Sequence, residues 1–167
     1  MFARHGAATM SSDRIVHDLY RADEEVRRAI AERWGDDVVD DRAAIAERVF
    51  SDPDELAWLE GLLHPRVVRK YQEWIADLRL GSDPPSLAVV EIPLLYETGG
   101  EKGFDHVVVV TAPEHVRAER TAVRSDDRWR RLIPDDEKVK RAGFAYVNDG
   151  TIEDLDAFVR SVVDALR

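Results

Sequence analysis

The chain has 167 residues, a length that suits one domain with a single core. Hydrophobic residues make up 44% of it and charged residues 35%, a balance that excludes both a disordered tail and a membrane protein. A net charge of −10 argues against the nonspecific hold on nucleic acid that a basic surface provides, and the lack of cysteine excludes disulfides and thiolate zinc sites.

The first ten residues, MFARHGAATM, have no basic start followed by an apolar core, so no signal peptide is expected. The apolar stretches are far short of a bilayer span. With no cysteine, these features fit a reducing, cytoplasmic location.

In chain order, Ala7 to Met10 is a short strand candidate, followed by Ser11-Ser12-Asp13. Ligands of open α/β sheets bind at the C-terminal ends of strands, where a carboxylate can act as general base toward a hydroxyl. The plainer reading makes Asp13 or one of the serines a helix cap. Asp52 is a good N-cap, Pro53 suits the first helical position, and Glu55 follows three residues after the cap. That helix carries Leu56, Leu59 and Leu63 and is expected to stop near His64-Pro65. A second helix is expected from about Arg66 to Leu80, with Val67, Tyr71, Trp74 and Leu78 inward and Gly81 as its stop. The turn residue between them, His64, has no histidine neighbour three or four positions away, and neither has any other histidine, so a metal site is not expected.

Leu87 to Val90, continuing into Ile92, and Val107 to Val110 are β-branched and nearly continuous, as in a parallel sheet covered on both faces. Only Tyr96 to Asp105 joins them, without a convincing helix, and adjacent parallel strands need a crossover of about a dozen residues. Either these strands are not neighbours or the sheet is incomplete as written. Glu97 ends the Pro93-Leu94-Leu95-Tyr96-Glu97 run as a site residue or a plain strand terminus. Gly99 to Gly103 does not match G-x-x-x-x-G-K-S/T and reads as a flexible loop.

Arg117, Arg120, Arg124, Arg128 and Arg131 recur at helical spacing. Such a stripe is either a solvated face paired with Glu119, Asp126 and Asp127, or a phosphate-binding one, since guanidinium forks match phosphate oxygens. Phe144 to Val147 is the last strand candidate, and Asn148-Asp149-Gly150-Thr151 reads as a turn and N-cap. The last helix begins at Thr151, with Leu155, Phe158, Val159, Val162, Val163 and Leu166 as its stripe. The whole reads as a single α/β domain over residues 1–167.

The order of these motifs is specific. Gly6-Ala7-Ala8, Ser12-Asp13-Arg14-Ile15-Val16-His17, Leu62-Leu63-His64-Pro65-Arg66, Glu91 to Glu97, Val107 to Val110, the arginine-rich segment and Tyr146 to Gly150 together resemble the dephospho-CoA kinases across nearly the whole chain. The resemblance implies a parallel-sheet, P-loop nucleotide-kinase-like fold with a helical substrate-binding region and a short lid. It implies transfer of the ATP γ-phosphoryl group to the 3′-hydroxyl of dephospho-CoA, with Mg²⁺. On that likeness Asp13 is the catalytic aspartate, while His64, Pro65, Arg66 and Glu97 belong to the substrate side. Arg120 and Arg124 face the ATP phosphates at the lid, and Asn148 and Gly150 contact adenine. Dephospho-CoA and ATP are the expected partners, with neither nucleic acid nor membrane.

The chain departs from the family pattern in four places. Ser11 stands where a first aspartate is common, the lid is short with Trp129 in an unusual context, and Val38 to Arg42 is compressed. The family's opening strand and P-loop, with the hydroxyl that holds Mg²⁺, are missing; Met1 to Gly6 resembles the end of the helix after that loop. The lost strand is expected between those ending at Leu95 and beginning at Val107, in keeping with the short connection. An N-terminally truncated, inactive dephospho-CoA kinase is therefore expected. The alternatives are a kinase for another small nucleotide and a non-catalytic relative that binds a CoA-like ligand or a protein partner.

Overall fold

The computed structural model describes residues 1–120 and 132–167, with side chains left undescribed at 118–120. The chain gathers into two compact units, residues 9–92 and residues 1–8 with 93–167. No helix among the described residues is long and apolar enough to cross a membrane.

In the first unit, β1 (Ala8–Ser11) pairs with β2 (Ala88–Glu91), and four helices lie between them in sequence. α1 (Ser12–Ala22) follows β1 without a loop and buries Ser12, Ile15 and Leu19. Asp23 ends it and caps α2 (Glu24–Trp34) by accepting the Val26 amide, and α2 buries Val26, Ile30 and Trp34 at four-residue steps. Val26 and Ile30 are fully enclosed, and each contributes about 1.5 to 3 kcal/mol of burial. Asp41 caps α3 (Arg42–Ser51) through the Ala43 and Ala44 amides. α4 (Pro53–Leu80) starts with Asp52 as cap and Pro53 in its first turn, and both α1 and α3 pack against it.

α4 corrects one expectation. It runs unbroken for 28 residues with Pro65 inside, instead of stopping there and restarting at Arg66. Proline deletes one intrahelical hydrogen bond, here the one to the Gly61 carbonyl, and an interior proline costs about 3 kcal/mol. The buried residues Leu59, Leu63 and Tyr71 form a single stripe across it. Breaking the helix would split that stripe, and the Arg66 guanidinium supplies a donor to the Leu62 carbonyl at 2.7 Å.

The second unit opens with a helical turn, Phe2–His5, closed by Gly6 at φ 85°. The Gly6 amide bonds the Ala3 carbonyl and the Ala7 amide the Phe2 carbonyl, the paired bonds of a helix C-terminus. β3 (Val108–Thr111) and β4 (Phe144–Val147) are parallel, with Val108 beside Phe144 and Thr111 beside Val147. Between them come α5 (Glu114–Arg120) and α6 (Asp135–Arg141), and α7 (Ile152–Leu166) closes the chain. Thr151 and Asp154 form a full capping box at its start, while Val159, Val162 and Val163 are buried. Tyr146 of β4 stacks on Phe158 of α7 at 4.9 Å. Each strand flanking the short connection has its ladder partner in its own unit: β1 for β2, β4 for β3. Among the described residues β2 and β3 are not hydrogen-bonded to each other. Gly99 to Gly103 is not a featureless loop, because Gly100–Gly103 forms a 3-10 turn and Glu101 binds Arg141 at 2.6 Å.

Candidate functional site

The expected site residues divide between the two units, and each group has its own geometry. In the first unit, Ser11 is extended and holds the N-cap position without a side-chain bond, so Asp13 falls inside the first turn of α1. The capping role is therefore not what Asp13 does. Its side chain is exposed, and no described residue bonds its carboxylate. It stands at the C-terminal end of β1 and the N-terminal end of a helix, where backbone N–H groups favour negative charge. Four residues on, the His17 Nδ1 lies 3.0 Å from Arg42, and the Arg42 guanidinium sits 5.3 Å from the centre of the Tyr20 ring.

His64, Pro65 and Arg66 lie in the middle of α4, the helix against which α1 packs. His64 and Pro65 are exposed. Arg66 is held by the Leu62 carbonyl and by Glu25 of α2 at 3.0 Å, a bond that ties two helices together. A second tie of this kind joins Arg33 to Glu55 at 2.6 Å, with Trp34 Nε1 donating to the same carboxylate.

In the second unit, Glu97 is committed to internal partners. Its Oε1 accepts from Lys138 and from the Ile133 amide at 3.2 Å, and the two charged side chains are 12% and 15% exposed. Burial pushes the Glu97 carboxyl up, but the Lys138 ammonium and the Ile133 amide pull it down more, leaving it below its ordinary value. Beside it, burial pushes the Tyr96 phenol up, and Arg141 stacks over the ring at 4.4 Å. This constellation fastens the connection after β2 onto α6. Arg117 is paired with Asp135 at 2.7 Å and so joins α5 to α6.

Asn148 extends the β3–β4 ladder by one bond, its amide reaching the Thr111 carbonyl at 2.7 Å. Gly150 precedes the Thr151 cap, and a Cβ there would come 2.7 Å from Asp154 Oδ2. Thus β4 and the capping box set this turn between them. The Arg120 side chain, and Arg124, Arg128 and Arg131, lie outside the described residues. Sequence reasoning passed over Arg42 and Lys138. The spacing of Asp13, His17 and Tyr20 carried a signal for the first, whereas nothing local links Lys138 to Glu97 across 41 positions. Among the described residues no three His, Asp or Glu side chains are grouped as metal ligands, and residues 1–167 have no G-x-x-x-x-G-K-S/T.

Residues 1–154 match the family model described as CoaE: Dephospho-CoA kinase. A dephospho-CoA kinase of Mesorhizobium japonicum is 37% identical, with 100% of this chain and 88% of that protein covered. One from Rhodopseudomonas palustris strain HaA2 is 34% identical over 99% of this chain and 86% of its own length. Among solved structures, a Thermus thermophilus crystal structure has a TM-score of 0.72 at 32% identity, covering 99% of this chain and 88% of its own. A dephospho-CoA kinase from Campylobacter jejuni has a TM-score of 0.69 at 23% identity and so attests the α/β fold, covering 98% and 87%. With a family match over most of its length and such relatives along all of it, the chain belongs to the dephospho-CoA kinase family.

Proposed function

We propose that residues 1–167, when joined to a P-loop of the family kind, act in the phosphoryl transfer from ATP to the 3′-hydroxyl of dephospho-CoA, with Asp13 accepting the hydroxyl proton. The observation that carries the reading is the exposed, uncommitted Asp13 carboxylate at the strand-to-helix junction. Phosphoryl transfer relies mainly on positioning and on neutralising charge, so the nucleophile needs a carboxylate that is held in place by rigid elements but not consumed by a partner. β1 and α1 supply that support. His64, Pro65 and Arg66 on the adjoining α4 belong to the acceptor side, and Asn148 and Gly150 to the adenine turn. Arg120 and Arg124 are assigned to the ATP phosphates. Glu97 contributes to the substrate side by fixing the connection after β2, since its carboxylate is already bound. Mg²⁺ is expected with ATP in the reaction.

Residues 1–167 contain no G-x-x-x-x-G-K-S/T and so neither the amide cradle nor the lysine that this motif supplies. A single arginine finger is worth about 10³ to 10⁵ in rate, and the whole cradle matters at least as much. The test compares residues 1–167 with the same chain preceded by a family strand and P-loop, each incubated with γ-labelled ATP and dephospho-CoA. Label at the 3′-position with the extended form, and none with residues 1–167 alone, is the expected result. Equal labelling by both would place phosphate binding elsewhere in these residues. No labelling by a folded extended form would favour a ligand-binding relative without catalysis.

A further inference from the structure

α1 presents Asp13, His17 and Tyr20 at steps of four and three, one stripe of a helix. Arg42, the first residue of α3, lies over that stripe, 3.0 Å from His17 Nδ1 and 5.3 Å from the Tyr20 ring centre. A guanidinium has only donors. In this hydrogen bond Nδ1 is therefore the acceptor.

Other arginines of this unit are held differently. Arg27 grips Asp40, Arg33 grips Glu55 and Arg66 grips Glu25, each neutralised where it lies. The carboxylates nearest Arg42 in sequence are engaged elsewhere: Asp40 with Arg27, Asp41 with the Ala43 and Ala44 amides. Arg42 is thus oriented by an imidazole and an aromatic face, neither of which cancels its charge, in a chain of net charge −10. An exposed arginine fixed in this way is preorganised for an anion supplied from outside.

The anion's class follows from the neighbour. Asp13 and His17 are one helical turn apart, with Cβ atoms about 5 to 6 Å from each other. That separation is comparable to the distance between the 3′-hydroxyl and the 5′-phosphate of one ribose. Building on the reading of Asp13 as the base, we infer that Arg42, positioned by His17, binds the 5′-diphosphate of the acceptor nucleotide. Asp13 then meets the 3′-hydroxyl while Arg42 holds the diphosphate, so one face of α1 grips both ends of the same ribose.

Calorimetric titration of residues 1–167 with dephospho-CoA and with adenosine, which lacks the diphosphate, tests this. Wild type should bind dephospho-CoA more tightly than adenosine. Arg42→Ala should weaken dephospho-CoA by about 10- to 100-fold, the worth of charge-assisted hydrogen bonds, and leave adenosine unchanged. His17→Leu should lose part of the affinity, and His17→Gln, which restores an acceptor, should recover it. Arg28→Ala, on the exposed face of α2, is the matched control. Circular dichroism checks the fold of each variant, and Arg42→Lys, keeping the charge without the fork, serves if Arg42→Ala does not fold. An Arg42 variant that binds dephospho-CoA as the Arg28 control does overturns the inference and leaves the role of Asp13 standing. Wild type binding dephospho-CoA no better than adenosine overturns the acceptor site and the inference together.

Discussion

Replacing Lys138 by Met should destabilise the second unit markedly, because it strands a buried carboxylate. Glu97 is 12% exposed and Lys138 15%, and after the change the carboxylate would keep backbone amides, its own and that of Ile133 at 3.2 Å, but lose its cation. Breaking one side of a buried pair costs about 3 to 5 kcal/mol, and the residual exposure of both groups sets the expectation at about 2 to 3 kcal/mol. That is a large share of the roughly 5 to 15 kcal/mol that holds a domain together. The double change Glu97→Gln with Lys138→Met removes the stranded charge as well and should recover most of the loss. The pH dependence has a definite sign. Glu97 titrates below its ordinary value in the folded protein, so its contribution is complete above the unfolded value of about 4.3 and is lost as pH falls through the folded one. Urea unfolding followed by circular dichroism at pH 7, then stepped toward pH 3, measures both effects. A Lys138→Met protein within about 0.5 kcal/mol of wild type at pH 7, the size of an ordinary surface change, would refute the reasoning.

Three further outcomes are expected. Pro65→Ala restores the amide donor to the Gly61 carbonyl within a continuous α4, and since the proline is exposed the change should stabilise by about 1 to 3 kcal/mol in urea unfolding. A loss of stability would contradict the unbroken helix. Gly6→Ala places a side chain at φ 85° and brings its Cβ to 2.9 Å from Arg167 Nη2, and it should cost about 1 to 2 kcal/mol by thermal melting. Arg124→Ala in an active, P-loop-extended form should weaken ATP affinity or turnover far more than Arg69→Ala on α4, and equal small effects would make the arginine stripe a solvated face.

Local chemistry made much of the fold legible. Phe144 to Val147 reads as a strand from its aromatic and β-branched content and is one, and Thr151 with Asp154 announces the cap that α7 uses. Asp52-Pro53 marks the start of α4 for the same reason: caps act over three or four residues, within reach of a sequence pattern. Pro65 misleads because the local cost of a proline is offset by a stripe of buried residues spread over three turns. Glu97 was expected at a strand's tip, but β2 ends at Glu91 and Glu97 lies in the turns beyond it; its ion-pair partner sits on a helix far along the chain, out of reach of a local pattern. His17 and Arg42 are likewise joined only by the packing that carries the start of α3 over α1. Asp13 was legible as to position. What the fold adds is that no described residue bonds its carboxylate.

The most direct test of the account is turnover of Asp13→Asn in the P-loop-extended form, with ATP affinity measured beside it. Loss of a positioned general base should lower the rate of dephospho-CoA phosphorylation by about 10²-fold or more while ATP binding is largely kept. Near-normal turnover in a folded Asp13→Asn protein would contradict the assignment and remove Asp13 from the mechanism.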